Sequence, residues 1–152
     1  MHYIYLHGFA SSPNSRKAKY ILERFAENKI KLEIPDLNCG DFYHLTITRQ
    51  LKQVALLLEQ KKDVTIIGSS LGGLTAAHIG EKFLQVKRLV LLAPAFGFLS
   101  HWLPNLGTEV IQRWQQEKYM MVHHYGEKRE LALSYNFLAD ANRYQERFLQ
   151  RA

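Results

Sequence analysis

Two rhythms of apolar residues alternate along the first part of the chain. Tyr3-Ile4-Tyr5-Leu6 is a short aromatic and aliphatic run that stops at His7-Gly8, which predicts a strand at the very start. Residues 9–15, Phe-Ala-Ser-Ser-Pro-Asn-Ser, form a loop with several residues able to cap a helix. From about Arg16 to Asn28 the apolar positions Ala18, Ile21, Leu22, Phe25 and Ala26 follow helical spacing. Lys31–Ile34 then reads as a strand stopped by Pro35, and Leu45–Lys61 as a helix through Leu51, Val54, Ala55 and Leu58. Val64–Ile67 predicts a third strand, Leu71 to about Phe83 a helix, and Arg88–Ala93 a fourth strand. After Arg88 the last is an apolar run, as a strand buried on both faces would be. The order β-α-β-α-β-α-β calls for a parallel sheet with helices on both faces. Beyond Pro94 the pattern changes. Residues 95–108 read as a loop, followed by helices over about Thr108–Tyr119 (Val110, Ile111, Trp114) and Arg129–Gln150 (Leu131, Leu138, Ala141, Tyr144, Phe148).

At 152 residues this is one domain, and 47% hydrophobic against 22% charged residues leaves enough apolar side chains for a substantial core. The net charge of +6 comes from basic residues scattered in ones and twos, so it describes solvated faces and not a nucleic-acid surface. A single cysteine, Cys39, excludes an internal disulfide and fits a reducing compartment. The N-terminus has no leader pattern and no apolar stretch is long enough to span a bilayer. A cytoplasmic location with no membrane partner is the expectation.

Chemistry enters at the junction of the third strand and its helix. Gly68-Ser69-Ser70-Leu71-Gly72 fits G-x-S-x-G between an apolar strand and a helix, the setting of a nucleophile elbow. Ser70 would stand at the tip of a sharp turn, with Gly68 and Gly72 placed where a Cβ would collide with neighbouring backbone. A serine hydroxyl needs a base to take its proton, and the oxyanion it generates needs fixed donors. The N–H of Leu71 is one such donor. A second is the N–H of Phe9, in the loop after the first strand, where Gly8 permits an unusual backbone. Both loops lie at the C-terminal ends of parallel strands, the edge where open α/β sheets bind ligands. A phosphate-binding reading of the same turn lacks the Gly-Lys-Ser/Thr ending.

Three segments together resemble the YqiA-like esterases, which are small α/β-hydrolase-fold proteins. They are Tyr5-Leu6-His7-Gly8-Phe9-Ala10-Ser11-Ser12-Pro13, Pro35-Asp36-Leu37 and Gly68-Ser69-Ser70-Leu71-Gly72-Gly73. The similarity runs from residue 3 to about 95, and more loosely to Tyr144. It implies an α/β-hydrolase sheet with strand order 2-1-3-4 over residues 1–95, and a helical cap over 96–152. It also implies Ser70 as nucleophile, Phe9 and Leu71 as oxyanion-hole positions, a small-molecule ester or thioester as substrate, and no cofactor or metal.

The rest of such a site is not evident. In the order Ser…Asp…His, the acid and the base follow later strands. Here no strand-like run with a trailing Asp follows Pro94, and no histidine follows His124. The expectation is a chain truncated relative to the family. His7 is the nearest imidazole, with a structural role beside Gly8 as the simpler reading. His78 lies about 12 Å of helical rise from Ser70. His123-His124 fall in the cap without a spaced metal partner. Asp36 and Asp140 read as caps or ion-pair partners. A second consequence concerns the fourth strand. Left as a sheet edge, Leu89–Ala93 invites cover from a second copy or from the C-terminal segment. The sequence thus offers two functions: a serine esterase working through a Ser70 acyl-enzyme, or a hydrolase scaffold that binds a ligand or partner chain without turnover.

Overall fold

The structure is a computed structural model that describes residues 1–144 and 149–151. Four strands form one parallel sheet in the order β2-β1-β3-β4: β1 (His2–Leu6), β2 (Leu32–Glu33), β3 (Val64–Ser69) and β4 (Val86–Leu92). The alternation of side chains along a strand decides which face each residue covers. Ile4 and Leu6 of β1 and Val64 and Ile66 of β3 join the larger core, whereas Tyr5 and Ile67 join a smaller one on the opposite face. Helix α1 (Arg16–Glu27) closes the smaller core with Ala18. Helices α2 (Ile47–Leu58) and α3 (Leu71–Lys82) close the larger one through Leu51, Val54, Leu74 and Ile79. Side chains supply the orphan N–H groups of two helices: Ser15 Oγ accepts from Ala18 N–H at 3.2 Å, and Thr46 Oγ1 from Arg49 N–H at 3.0 Å. β3 is central and buried throughout, while β4 pairs with β3 alone among the described residues and leaves Val90 44% exposed.

The expected fold class and strand order are those observed, and the elements up to β4 fall within a few residues of their expected places. The part after Pro94 differs. The segment read as a loop contains helix α4 (Phe98–Leu106), flanked by Gly97 and Gly107, both at positive φ. Helix α5 (Thr108–Glu117) ends at Lys118 in the left-handed region. The expected helix over 129–150 is replaced by an antiparallel hairpin and a short helix: β5 (Tyr119–His124), β6 (Arg129–Ser134) and α6 (Asn136–Ala141). Phe148, which was to extend that helix, lies outside the described residues. The cap is therefore mixed and not helical. The physical cause is visible in β5, where Tyr119, Met121 and His123 face out while Met120, Val122 and His124 turn inward, a period of two. The cap is stitched to the sheet's loops. Tyr125 N–H donates to Ala10 O at 2.8 Å and Ser134 N–H to Tyr43 O at 3.0 Å, and Thr48 N–H at the start of α2 donates to Asp140 Oδ2 at 2.9 Å.

Candidate active site

Ser70 sits between β3 and α3 with φ 54° and ψ −120°, a backbone conformation that L residues rarely hold. Close packing holds it there. A Cβ at Gly68 would lie 2.4 Å from Gly72 O, and one at Gly72 would lie 2.2 Å from Leu6 O and 2.5 Å from His7 O. The end of β4 grips the turn from the other side, since Ser70 N–H donates to Leu92 O at 3.1 Å and Ala95 N–H donates to Ser70 O at 3.0 Å. Behind the turn, Lys17 Nζ donates to Ser69 Oγ at 2.8 Å. Ser69 also bonds the buried Tyr5 phenol, whose pKa burial raises and that bond partly restores.

Ser70 is exposed at the base of a cleft of about 450 Å³. Phe9 and Leu71 line the same cleft, and their backbone N–H groups find no acceptor among the described residues. The loop that carries Phe9 crosses close to the serine, so close that a Cβ at Gly8 would lie 3.3 Å from Ser70 Cβ. The remaining walls come mostly from the cap: Phe96, Phe98, Trp102 and Phe137, with His101 and Asn105. The rings of Phe9, Phe98, Trp102 and Phe137 contact one another at centroid distances from 5.4 to 6.2 Å.

The other titratable residues singled out in the sequence stand away from this cleft. His7 is buried and fully engaged: Nδ1 bonds Gly8 O at 2.9 Å, and Nε2 accepts from Leu37 N–H at 2.9 Å with Asp36 Oδ1 at 3.6 Å. It is a bracket between the ends of β1 and β2. Burial pushes its pKa down, against the pull of Gly8 O and Asp36. His78 is buried in α3 with its ring 5.4 Å from that of Tyr144. His123 pairs with Glu130 at 3.4 Å on the hairpin surface. His124 is buried against Phe42, with Nδ1 accepting from Glu127 N–H at 3.0 Å, and burial lowers its pKa as well. Asp140 caps α2, and Asp36 Oδ1 accepts from Asn38 N–H at 3.0 Å. Among the described residues no three His, Cys, Asp or Glu side chains are grouped to hold a metal, and no helix is long and apolar enough to cross a membrane.

His101, Asn105 and Phe137 were not anticipated at this site. The signal for the first two was present in the chain, in the spacing of Phe98 with Trp102 and of His101 with Asn105 between two glycines. Pro104 inside that segment masked the helix.

Sheet order, elbow and mixed cap define an α/β-hydrolase fold, and comparison with solved structures agrees. Alpha/beta hydrolase domain-containing protein 10 from mouse superposes with a TM-score of 0.74 at 20% identity, covering 95% of this chain and 61% of that one. Est1E from Butyrivibrio proteoclasticus, solved with ferulic acid bound, gives a TM-score of 0.68 at 16% identity over 99% of this chain and 65% of its own. A protein of the α/β superfamily from Xanthomonas campestris pv. campestris is 29% identical with a TM-score of 0.52, covering 61% and 58% of the two chains. This chain thus spans about three fifths of the length of the structures it matches. Its sequence belongs to UPF0227, an uncharacterised protein family whose model matches residues 2–150. No curated protein gives a significant match.

Proposed function

We propose that this chain is a serine hydrolase that cleaves a carboxylic ester or thioester through an acyl-enzyme on Ser70. The observation that carries the reading is the backbone of Ser70, held at φ 54° on the turn into α3 and exposed in a cleft shared with Phe9 and Leu71. In this reading Ser70 Oγ attacks the substrate carbonyl as a base takes its proton. The carbonyl oxygen becomes an oxyanion that accepts from the N–H groups of Phe9 and Leu71. Collapse of that intermediate breaks the bond to the alkoxide or thiolate, which leaves with a proton. Water then releases the acid by the same route in reverse. The second reading, a scaffold that binds without turnover, is favoured by the engagement of His7, His78, His123 and His124 away from the cleft.

Fluorophosphonate labelling followed by intact mass separates the two. The expected result is a single adduct on the folded chain that disappears in Ser70→Ala. A folded sample that stays unlabelled removes the nucleophile from the proposal and leaves the binding scaffold.

A further inference from the structure

The cleft above Ser70 has an uneven chemistry. Of the side chains that line it, only Ser70, His101 and Asn105 are polar apart from the indole N–H of Trp102, and His101 and Asn105 sit together on α4. Four residues apart on a helix, they share one face and lie beside each other. Both are exposed, and among the described residues neither side chain makes a hydrogen bond. Most of the other walls are rings, and they are fixed in place. Trp102 packs on the buried Trp114 at 5.8 Å, and Phe137 is 1% exposed and packs on Phe9 at 5.4 Å.

We infer that the substrate of this site carries an aromatic acyl group bearing a hydroxyl, with the ring held among Phe9, Phe98, Trp102 and Phe137 and the hydroxyl read by His101 and Asn105. The inference rests on the hydrolase reading for the placement of the carbonyl at Ser70, and adds what is bound beside it. A planar ring meets preset ring edges and faces in the tilted and T-shaped arrangements aromatic groups favour. An alkyl chain filling the same space must freeze several torsions to do so. A hydroxyl both donates and accepts, which matches an imidazole and a carboxamide, groups that carry donor and acceptor atoms. Apolar walls with a few placed polar groups are how small-molecule sites fix orientation, and the volume lies within the usual range for such sites, about 300–1,000 Å³.

The test uses binding and not turnover. Trp102 and Trp114 are the chain's two tryptophans, so intrinsic fluorescence reports on the cleft. The full chain carrying Ser70→Ala is titrated with methyl 3-(4-hydroxyphenyl)propanoate, methyl 3-phenylpropanoate and methyl hexanoate. The hydroxylated ester is expected to bind about five- to tenfold more tightly than the phenyl ester, the scale of one neutral hydrogen bond. The hexanoate is expected to bind weakest. Adding His101→Phe and Asn105→Leu, both at exposed positions, is expected to abolish the preference for the hydroxyl, read as the ratio of the affinities for the two aromatic esters. Equal affinity for the two aromatic esters, a preference that survives the double change, or hexanoate binding as tightly as the phenyl ester overturns the inference. Each outcome is independent of whether Ser70 labels, so the hydrolase reading stands or falls separately.

Discussion

A methyl group at position 72 has no free space to enter. Its nearest atoms would be the carbonyl oxygens of Leu6 and His7, main-chain atoms at the buried end of β1 that cannot rotate aside. Gly40 is the useful control. It has φ +67° but nothing within 4 Å of an added Cβ, so an alanine there meets backbone strain alone. Gly40→Ala is expected to cost about 1 kcal/mol, the strain of a left-handed residue. Gly72→Ala is expected to cost about 3 kcal/mol or more, because strand and helix must separate to admit it. Urea unfolding midpoints of the two variants check the order, and similar midpoints would mean that the elbow yields. This is also why the elbow was legible in the sequence. Its constraints act between residues that are close along the chain or one strand apart, and they leave glycines at fixed spacings. The walls of the cleft carry no such mark. Phe137 reaches Ser70's cleft from α6, which packs against α2, a long-range contact that local spacing does not encode.

At the level of elements, the parallel sheet announced itself through runs of apolar residues separated by helices, and the hairpin did not. Leu131, Leu138 and Ala141 happen to fit a helical period, and that chance spacing outweighed the alternation in Tyr119–His124. One of the contacts that tie this region to the rest of the fold is made by Asp140. Its carboxylate accepts from Thr48 N–H, one of the N–H groups that α2 cannot satisfy itself, and also bonds the Thr48 hydroxyl, which in turn meets Tyr144. A negative charge there also complements the positive end of the helix. Asp140→Ala is expected to lower stability by about 1–2 kcal/mol, as loss of a helix cap does, with Asp140→Asn between the two. Denaturation measures the cost, and the fluorophosphonate labelling rate of Asp140→Asn should match that of the unaltered chain. A labelling rate that collapses without loss of stability would reassign Asp140 from a cap to the chemistry.

Acid should find the molecule's weak point in two buried imidazoles. His7 and His124 are 1% and 2% exposed, and burial lowers the pKa of both, with Asp36 pulling each the other way. Their hydrogen bonds explain the neutral form. His7 Nε2 already accepts from Leu37 N–H and His124 Nδ1 from Glu127 N–H, so a proton on either nitrogen sets two donors facing each other. In the unfolded chain both rings titrate near the ordinary imidazole value of 6.5. Above that pH neither state takes the proton, and stability is at its plateau. As pH falls through 6.5 the unfolded chain binds protons that the folded chain refuses, and stability declines until the lowered native pKa values are reached. The carboxylates held low enter only later. These are Asp41, where slight burial is outweighed by the bonds from His44, and Glu81, which accepts from the N–H groups of Arg151 and Gln150. The ordinary values of these groups are 3.8 and 4.5. The urea midpoint is therefore expected to be level between pH 8 and 7 and to fall between about pH 6.5 and 5. His124→Phe keeps a ring against Phe42 and removes one of the two titrating groups, so its decline over the same range should be visibly shallower. A midpoint that holds steady to pH 5, or a slope that His124→Phe leaves unchanged, would show that these rings do not set the acid limit of the fold.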